Sequence, residues 1–483
     1  MRRAKPKQSR KPRYLPSRIS GLKSMFKSFI PIAVLAVMVF GEIPTLADIV
    51  HISCKTTTSE ELPQVVVAVL DSLADIPAES HQIIIQGNFT PLSVIKLQWF
   101  KETPLTVTTD DSRAVLDGVN LPKGKETVFM SGRNITLKGI HFVNSQGHAV
   151  IIGGKSDGYA IRKCLFEDCR QGAIHIWNDP HSIFSKTTRR GAITDNCITR
   201  FNLAGDKWAN DGITVFDQRV TIARNTISSS STETNGIRAM GRDLVVERNV
   251  IKDVARDDSG GIYLWGGPHA SLFRGNVVRW NHVIGASRGI YLDDGTSGVR
   301  VMENVIEQST VCAIFVSGGR DNIVERNVVD GSPVFVHIDS RCLGWDSRPE
   351  FAKMVEQSLS RLQKALLNTS SSRVLRERYP ELGGLTSESL TPKDFGSPAG
   401  NRVRDNYTRD VDKTWELMDF ANEVETDFRA LNDLDLPLPI TTRKRLSELR
   451  FQKWFGFEGL DRLENILDEA TVFELQMGTT RNQ

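Results

Sequence analysis

An all-β stack of short parallel strands, a right-handed parallel β-helix, is the fold class this sequence predicts, and three observations carry it. The first is a phrase repeated six times between residues 193 and 329: an apolar residue, two variable residues, Asn, one variable residue, then Ile or Val. It opens at Ile193, Ile222, Val246, Phe273, Val301 and Val324. Its asparagines, Asn196, Asn225, Asn249, Asn276, Asn304 and Asn327, stand 29, 24, 27, 28 and 23 residues apart. A period of this size marks a repeat architecture in which no single repeat encloses a core. The second observation is the local pattern: Val, Ile and Phe alternate with polar residues and glycines, with no sustained 3.6 spacing. The third is length. Roughly 25 residues make one turn of three short strands and three bends, and an Asn at the same bend of each turn passes its amide hydrogen bonds along the stack.

Residues 1–47 fall outside that pattern and are expected to be a signal peptide. Arg2, Arg3, Lys5, Lys7, Arg10, Lys11, Arg13, Arg18, Lys23 and Lys27 form a basic leader, an apolar run follows from Phe29 to Gly41, and Thr45-Leu46-Ala47 supplies small residues for cleavage. The apolar run is shorter than the ~20 residues a spanning helix needs, so export is expected, to the periplasm or outside the cell, with no stable membrane span after cleavage. The whole chain carries +3; without the leader it holds 51 basic and 57 acidic residues, a net −6. The basic character therefore belongs to the leader, and no nucleic-acid footprint remains. Six cysteines are too few for a disulfide framework. Cys164 takes the ladder position one turn before Asn196, and one bridge among Cys164, Cys169 and Cys197 fits an oxidising compartment.

From residue 48 to 125 a strand-like Ile49–Ser53, a helical stretch near Ser59–Leu73 and Gln82–Gln86 read as an N-terminal cap with the first irregular turn. The β-helix core is expected over 126–342. Residues 343–400 change in kind: Phe351, Val355, Leu359, Leu362 and Leu366 fall on one helical face, with Pro349 near the start and the polar run Thr369–Ser372 at the end. Val403 and Asn406 repeat the turn phrase, which makes 343–400 a helical insertion between turns. Residues 401–483 then hold the last turn and, from about Thr414, a partly helical flank clearest at Lys444–Asp468.

Each turn contains a second strand phrase whose inward pairs are Ile174/Ile176, Ile213/Val215, Ile237/Ala239, Ile262/Leu264, Ile290/Leu292, Ile314/Val316 and Val336/Ile338. All are apolar, which sets the register by the period-2 rule. The residues between them form two outward columns, His175, Thr214, Arg238, Tyr263, Tyr291, Phe315, His337 and Trp177, Phe216, Met240, Trp265, Asp293, Ser317, Asp339, with neighbours about 4.8 Å apart. A solvated face is rich in Lys, Glu, Thr and Ser; this one is rich in rings with a few polar groups, which suits a sugar chain. The competing reading is that the insertion covers these rings, and the two combine if the insertion forms one wall of the groove.

Asp293 and Asp339 share a column two turns apart, about 10 Å of backbone, within range of the carboxyl spacings of glycosidases. One acid protonates the leaving group while the other activates water or attacks the anomeric carbon, with Trp265 and Tyr291 as an apolar wall that raises one pKa. Asp294 either turns outward to join its neighbour or belongs to a plain Asp-Gly turn. Asp211, within Asn210-Asp211-Gly212, contacts substrate at the groove's edge or closes a bend. The substrate-binding set is His175, Trp177, Asp211, Phe216, Arg238, Tyr263, Trp265, Tyr291 and His337; no metal ligands and no cofactor are expected.

The run Arg288-Gly289-Ile290-Tyr291-Leu292-Asp293-Asp294-Gly295, with Gly318-Gly319-Arg320-Asp321-Asn322 and His337-Ile338-Asp339-Ser340-Arg341, resembles secreted bacterial β-helix proteins of the pectate-lyase-like kind related to fucosidase and xylanase glycoside hydrolases. Leu343-Gly344-Trp345 and Arg378-Tyr379-Pro380-Glu381-Leu382 extend the resemblance over roughly residues 110–410. It implies hydrolysis of a neutral polysaccharide or its side branches by the Asp293/Asp294 region and Asp339. Asp179-Pro180-His181 resembles part of a motif of alginate C5-epimerases, with Ser182 where that motif has Asp. Two other classes remain open: a uronate lyase or epimerase, which needs a Lys, Arg or His base and positive charge, and a non-catalytic glycan-binding or envelope protein. The expected partner in each case is a polysaccharide or oligosaccharide, and the expected assembly is a monomer.

Overall fold

Alternation of apolar and polar residues over three to six positions builds short strands, and glycines and left-handed residues turn the chain between them. The computed structural model describes residues 48–430 apart from 111–113, 154–155, 179–190, 206–209, 231–233, 255–257, 268–269, 271, 342–343, 368, 383–397 and 418–425. The expected signal segment 1–47, the helical stretch at 444–468 and the Asp179–Ser182 motif lie outside the described residues.

The strands stack as three parallel faces of one coil. The first face holds Ile174–Trp177, Ile213–Gln218, Ile237–Arg242, Gly260–Trp265, Arg288–Asp293, Cys312–Ser317 and the end of Val328–Asp339. The second runs through Gly191–Thr194, Val220–Ala223, Val245–Glu247, Val277–Arg279, Arg300–Met302 and Ile323–Glu325. The third runs through Cys197–Phe201, Thr226–Ser230, Val250–Lys252, His282–Ile284 and Val305–Glu307. Every inward pair predicted for the first face is at most 2% exposed. Removing that much aliphatic surface from water at each level is what closes a coil whose turns cannot stand alone.

A ladder of side-chain amides runs along one bend. Asn196 Nδ2 donates to Asn225 Oδ1 at 2.9 Å, and the chain continues through Asn249, Asn281, Asn304, Asn327 and Asn406 with spacings of 2.9 to 3.1 Å. Asn276 is not a member, which corrects the sequence expectation. The phrase fits twice here, from Phe273 and again from Val278, and the structure uses the second, so Asn281 takes the rung. Asn276 closes a different bend, accepting from the Leu244 amide at 3.0 Å. Each rung follows a left-handed residue: Asp195, Arg224, Arg248, Trp280, Glu303, Arg326 and Asp405 have φ between 53° and 60°. That conformation costs a non-glycine residue about 1 kcal/mol, which the amide bonds offset. Cys164 precedes the ladder as predicted, its amide donating to Asn196 Oδ1 at 3.0 Å. Cys164, Cys169 and Cys197 are free thiols, so the bridge among them is not formed; burial pushes Cys164 and Cys169 up to about 12.

At the N-terminal end Asp48–Ser53 pairs with His81–Gln86, and the helix Leu62–Leu73 buries Leu62, Val66, Leu70 and Leu73. The insertion consists of two helices, Pro349–Leu367 and Thr369–Arg378, followed by a short 3-10 turn, Pro380–Leu382. The amphipathic helix ends at Leu367, just before the polar run Thr369–Ser372, and that run opens a second helix the sequence did not suggest, in keeping with the preference of Ser and Thr for helix starts. Strand Arg402–Leu417 then re-enters the stack and pairs with Thr426–Ala430, so Thr414–Leu417 are strand where a helical flank was expected. No helix among the described residues is long and apolar enough to cross a membrane.

Candidate active site

The outward columns form in the register, the first from His175 to His337 and the second at Trp177–Phe216–Met240, Trp265–Asp293 and Ser317–Asp339, but outward does not mean exposed. In the first column Tyr263 is 5%, Tyr291 0% and Phe315 7% exposed, and they pack with Cys312 and Val334. Tyr263 and Tyr291 meet edge to face at 5.1 Å and Tyr291 stacks on Phe315 at 4.8 Å. Tyr291, expected to touch substrate, is therefore a buried support, and Tyr263 is nearly so.

Around that support the carboxyls converge. Strand Arg288–Asp293 ends at Asp293, and Asp294 takes a left-handed φ of 47°, which turns its side chain outward beside its neighbour. Tyr263 OH donates to Asp293 Oδ2 and Trp265 Nε1 donates to Asp294 Oδ2, both at 2.6 Å. The second oxygens, Asp293 Oδ1 and Asp294 Oδ1, are buried with no hydrogen-bond donor on them. Burial first, and then the charge of Asp293, pushes the Asp294 carboxyl up to about 7. Asp339 sits two levels further on, below Ser317 in the register, half-buried and raised by desolvation. Burial and then Asp293 also push the phenols of Tyr263 and Tyr291 upward, which keeps them as hydrogen-bond donors.

Arg341 joins the two acidic levels, and sequence reasoning missed its role. Its amide donates to Asp339 Oδ1 at 3.1 Å, its Nη1 donates to Tyr291 OH at 3.1 Å, and that nitrogen lies 3.8 Å from Asp293 Oδ1. It follows the last strand of the column and obeys no period, so the only signal was its place after Asp339 in the familiar run. His337 stands beside Asp339 with its ring edge to Phe315 at 4.7 Å. Trp265, His337, Asp294, Asp339 and Arg341 are the partly exposed members.

The N-terminal half of the predicted set lies elsewhere on the face. Asp211 is 1% exposed and accepts from Thr214 Oγ1, Thr234 Oγ1 and both nitrogens of Asn235, with Arg238 as ion partner at 2.9 Å. Its lone pairs are used by the bend, which removes it from the substrate-binding set. Arg238, bound to it, lies over the Tyr263 ring at 5.1 Å and serves packing. Phe216 is 7% exposed beneath Phe273, so it is covered too. His175 lies 4.6 Å from the His148 ring and stacks on Trp177. Trp177, 57% exposed, keeps an open face but stands four levels from Asp293.

The family model described as right handed beta helix region matches residues 126–279 and, overlapping them, 191–344. The chain has the fold of a right-handed parallel β-helix. No curated protein matches it in sequence. Among solved structures, the Azotobacter vinelandii mannuronan C-5 epimerase AlgE4 A-module is similar over 81% of this chain and 100% of its own, with 10% identity and a TM-score of 0.46. The Dettilon tailspike protein matches over 62% of this chain and 65% of its own, with 14% identity and a TM-score of 0.39. The DFA-IIIase from Arthrobacter chlorophenolicus A6 matches over 60% and 85%, with 12% identity and a TM-score of 0.39. At such identities the likeness concerns the fold alone. What this β-helix protein can do chemically rests on its own carboxyls: one near neutrality in its titration, one a separate acid two levels on, and an arginine between. Among its described residues no cluster of three or more His, Cys, Asp or Glu is arranged to hold a metal.

Proposed function

We propose that the protein is an exported glycoside hydrolase acting on a neutral polysaccharide or its side branches. The observation that carries this reading is the Asp294 carboxyl, held near pH 7 by burial and by Asp293, on the same groove as Asp339. A general acid works best when its pKa lies near the working pH. Asp294 donates its proton to the leaving oxygen, Asp293 keeps that proton in place by its charge, and Asp339 activates water or attacks the anomeric carbon. The Arg341 amide orients the Asp339 carboxylate, and the partly exposed Trp265 ring offers a stacking face for the sugar.

A uronate lyase or epimerase fits less well. Proton abstraction beside a uronate carboxylate needs a base and a surplus of positive charge, whereas Asp293, Asp339 and Asp258, the last paired with Arg288 at 3.4 Å, outnumber Arg341 and Arg288 here even with Asp294 protonated. The test is a glycan panel read for reducing ends and ultraviolet absorbance together. We expect reducing ends without new absorbance, reduced at least about a hundredfold in Asp294→Asn and Asp339→Asn. An unsaturated product, or full activity in both variants, would overturn the hydrolase reading.

A further inference from the structure

Phe216 and Met240 point outward in the same column as Trp265 and Asp293, yet they are 7% and 6% exposed. Phe273, itself 4% exposed, joins both in one buried cluster with Trp265 packed against it, and its ring meets Phe216 at 6.1 Å, while the Trp177 ring meets Phe216 at 4.8 Å. Phe273 follows Trp265 in sequence, and its ring lies against the two preceding levels of the first face. The groove that the sequence reads as continuous from Trp177 to Asp339 is thus interrupted beside Trp265.

The stretch between Trp265 and Asn276 is, in its described residues, held from both sides. Beneath it, the amides of Gly266 and Gly267 donate to the carbonyls of Asp293 and Asp294 at 3.3 and 3.2 Å, and Asn276 Nδ2 donates to the Phe273 carbonyl at 3.3 Å. At Gly267, φ is 47° and the Trp265 ring fills the space a Cβ would take, at 2.5 Å, so the backbone is pressed against the ring. Above it, the insertion buries Leu272 among Leu362, Leu366, Leu375 and Tyr379, and Ala270 beside Trp345, Val355 and Leu359. Arg378 Nε and Tyr379 OH both donate to Asp243 Oδ1 at 2.9 Å, which pins the insertion to the coil. A segment clamped in this way is a wall rather than a lid.

We infer that Phe273 and the insertion behind it close the groove on one side of the carboxyls, so that the site accepts the end of a glycan chain or a short side branch and excludes the interior of a long polymer. The inference rests on the proposed glycan reading and deepens it. The open stretch from Trp265 to Asp339 spans three strand spacings, about 14 Å, room for only a few sugar rings. Trp177 lies beyond the wall and does not extend it.

The experiment separates binding from cleavage. Affinity of Asp294→Asn protein is measured for neutral xylan, xyloglucan and β-glucan oligosaccharides from disaccharide to octasaccharide, alone and combined with Phe273→Ala or the milder Phe273→Val, each checked for an unchanged far-ultraviolet spectrum. The wild-type wall predicts affinity that stops rising by the trisaccharide; opening it predicts a further gain of about tenfold or more toward the octasaccharide. In parallel, wild-type protein is assayed for reducing ends against viscosity on the parent polymers. A plateau in binding with no reducing ends keeps the wall and removes the hydrolase. Reducing ends together with affinity that climbs to the octasaccharide, or with an early fall in viscosity, keeps the hydrolase and removes the wall. No binding to any of these glycans removes both.

Discussion

At Asp294 a single carboxyl links activity to stability in opposite directions. Its pKa stands at about 7 in the folded chain against an ordinary 3.8, so the folded state binds the proton more tightly than the unfolded one. The stability this confers is complete below pH 3.8 and is lost as pH rises through about 7. Asp294→Asn removes the titration; thermal unfolding at pH 8 should find it more stable than wild type by about 1–3 kcal/mol, with the gain gone at pH 4, while hydrolysis is lost. Arg341 pulls the Asp294 pKa down by its charge, so Arg341→Gln should move the basic limb of the pH–rate profile upward, not only lower the rate. A limb that stays in place would assign Arg341 to structure alone. Asp293 and Asp339 were legible in the sequence because a strict alternation fixed their column, whereas Asp294, which alternation would turn inward, comes outward through its left-handed φ of 47°. Arg341 was not, since it acts from beyond the strand's end, where no period reaches.

The bend that carries the amide ladder shows how an element is encoded and how it misleads. Six of its seven rungs match one six-residue phrase and Asn406, followed by Tyr407 and Thr408, matches it in part; one of the six, Asn281, was hidden because two overlapping copies, at Phe273 and Val278, compete for one turn. Only the register of the neighbouring strands decides between them: Val246 pairs with Val278, which brings Asn281 onto Asn249. Each rung donates to the next and also to a backbone carbonyl, as Asn281 does to Val246 at 2.9 Å. Removing one side chain therefore leaves several buried groups without partners. Asn281→Ala should cost about 2–4 kcal/mol in denaturant unfolding, whereas Asn276→Ala, outside the ladder, should leave the Asn249–Asn304 levels intact. Equal losses with equal changes in amide-exchange protection at Asn249 would mean the ladder has no special weight. Burial of Tyr291 and Phe216 escaped the sequence for a related reason: their covers arrive from other turns, and contacts between turns leave no local pattern.

At the scale of the molecule the stack behaves as a column of nearest-neighbour contacts, and among the described residues the insertion is the one large element that stands outside it. The chain leaves the coil after Asp339 and returns at Asn401, yet the levels on either side join directly: the amide of Asn322 donates to Asn401 Oδ1 and that of Asn327 to Asn406 Oδ1, both at 2.9 Å. Strand Val328–Asp339 pairs with Arg402–Leu417 along its length, so the coil does not need the intervening helices to bring those levels together. What the insertion does support is the wall, through Leu272, Ala270 and Asp243. Replacing residues 346–397 by a short glycine–serine linker should then keep the β-rich circular dichroism spectrum and lower the melting temperature by only about 2–6 °C, since the loss stays local. Hydrogen exchange should rise at Leu272 and Phe273 and stay unchanged along the amide ladder. If instead the whole coil loosens, the insertion is part of the folding unit, and the reading of 343–400 as an appendage between turns is wrong. If the coil and the protection of Phe273 both survive, the wall stands by its own contacts with Phe216 and Met240, and the helices are held there for some purpose other than buttressing it.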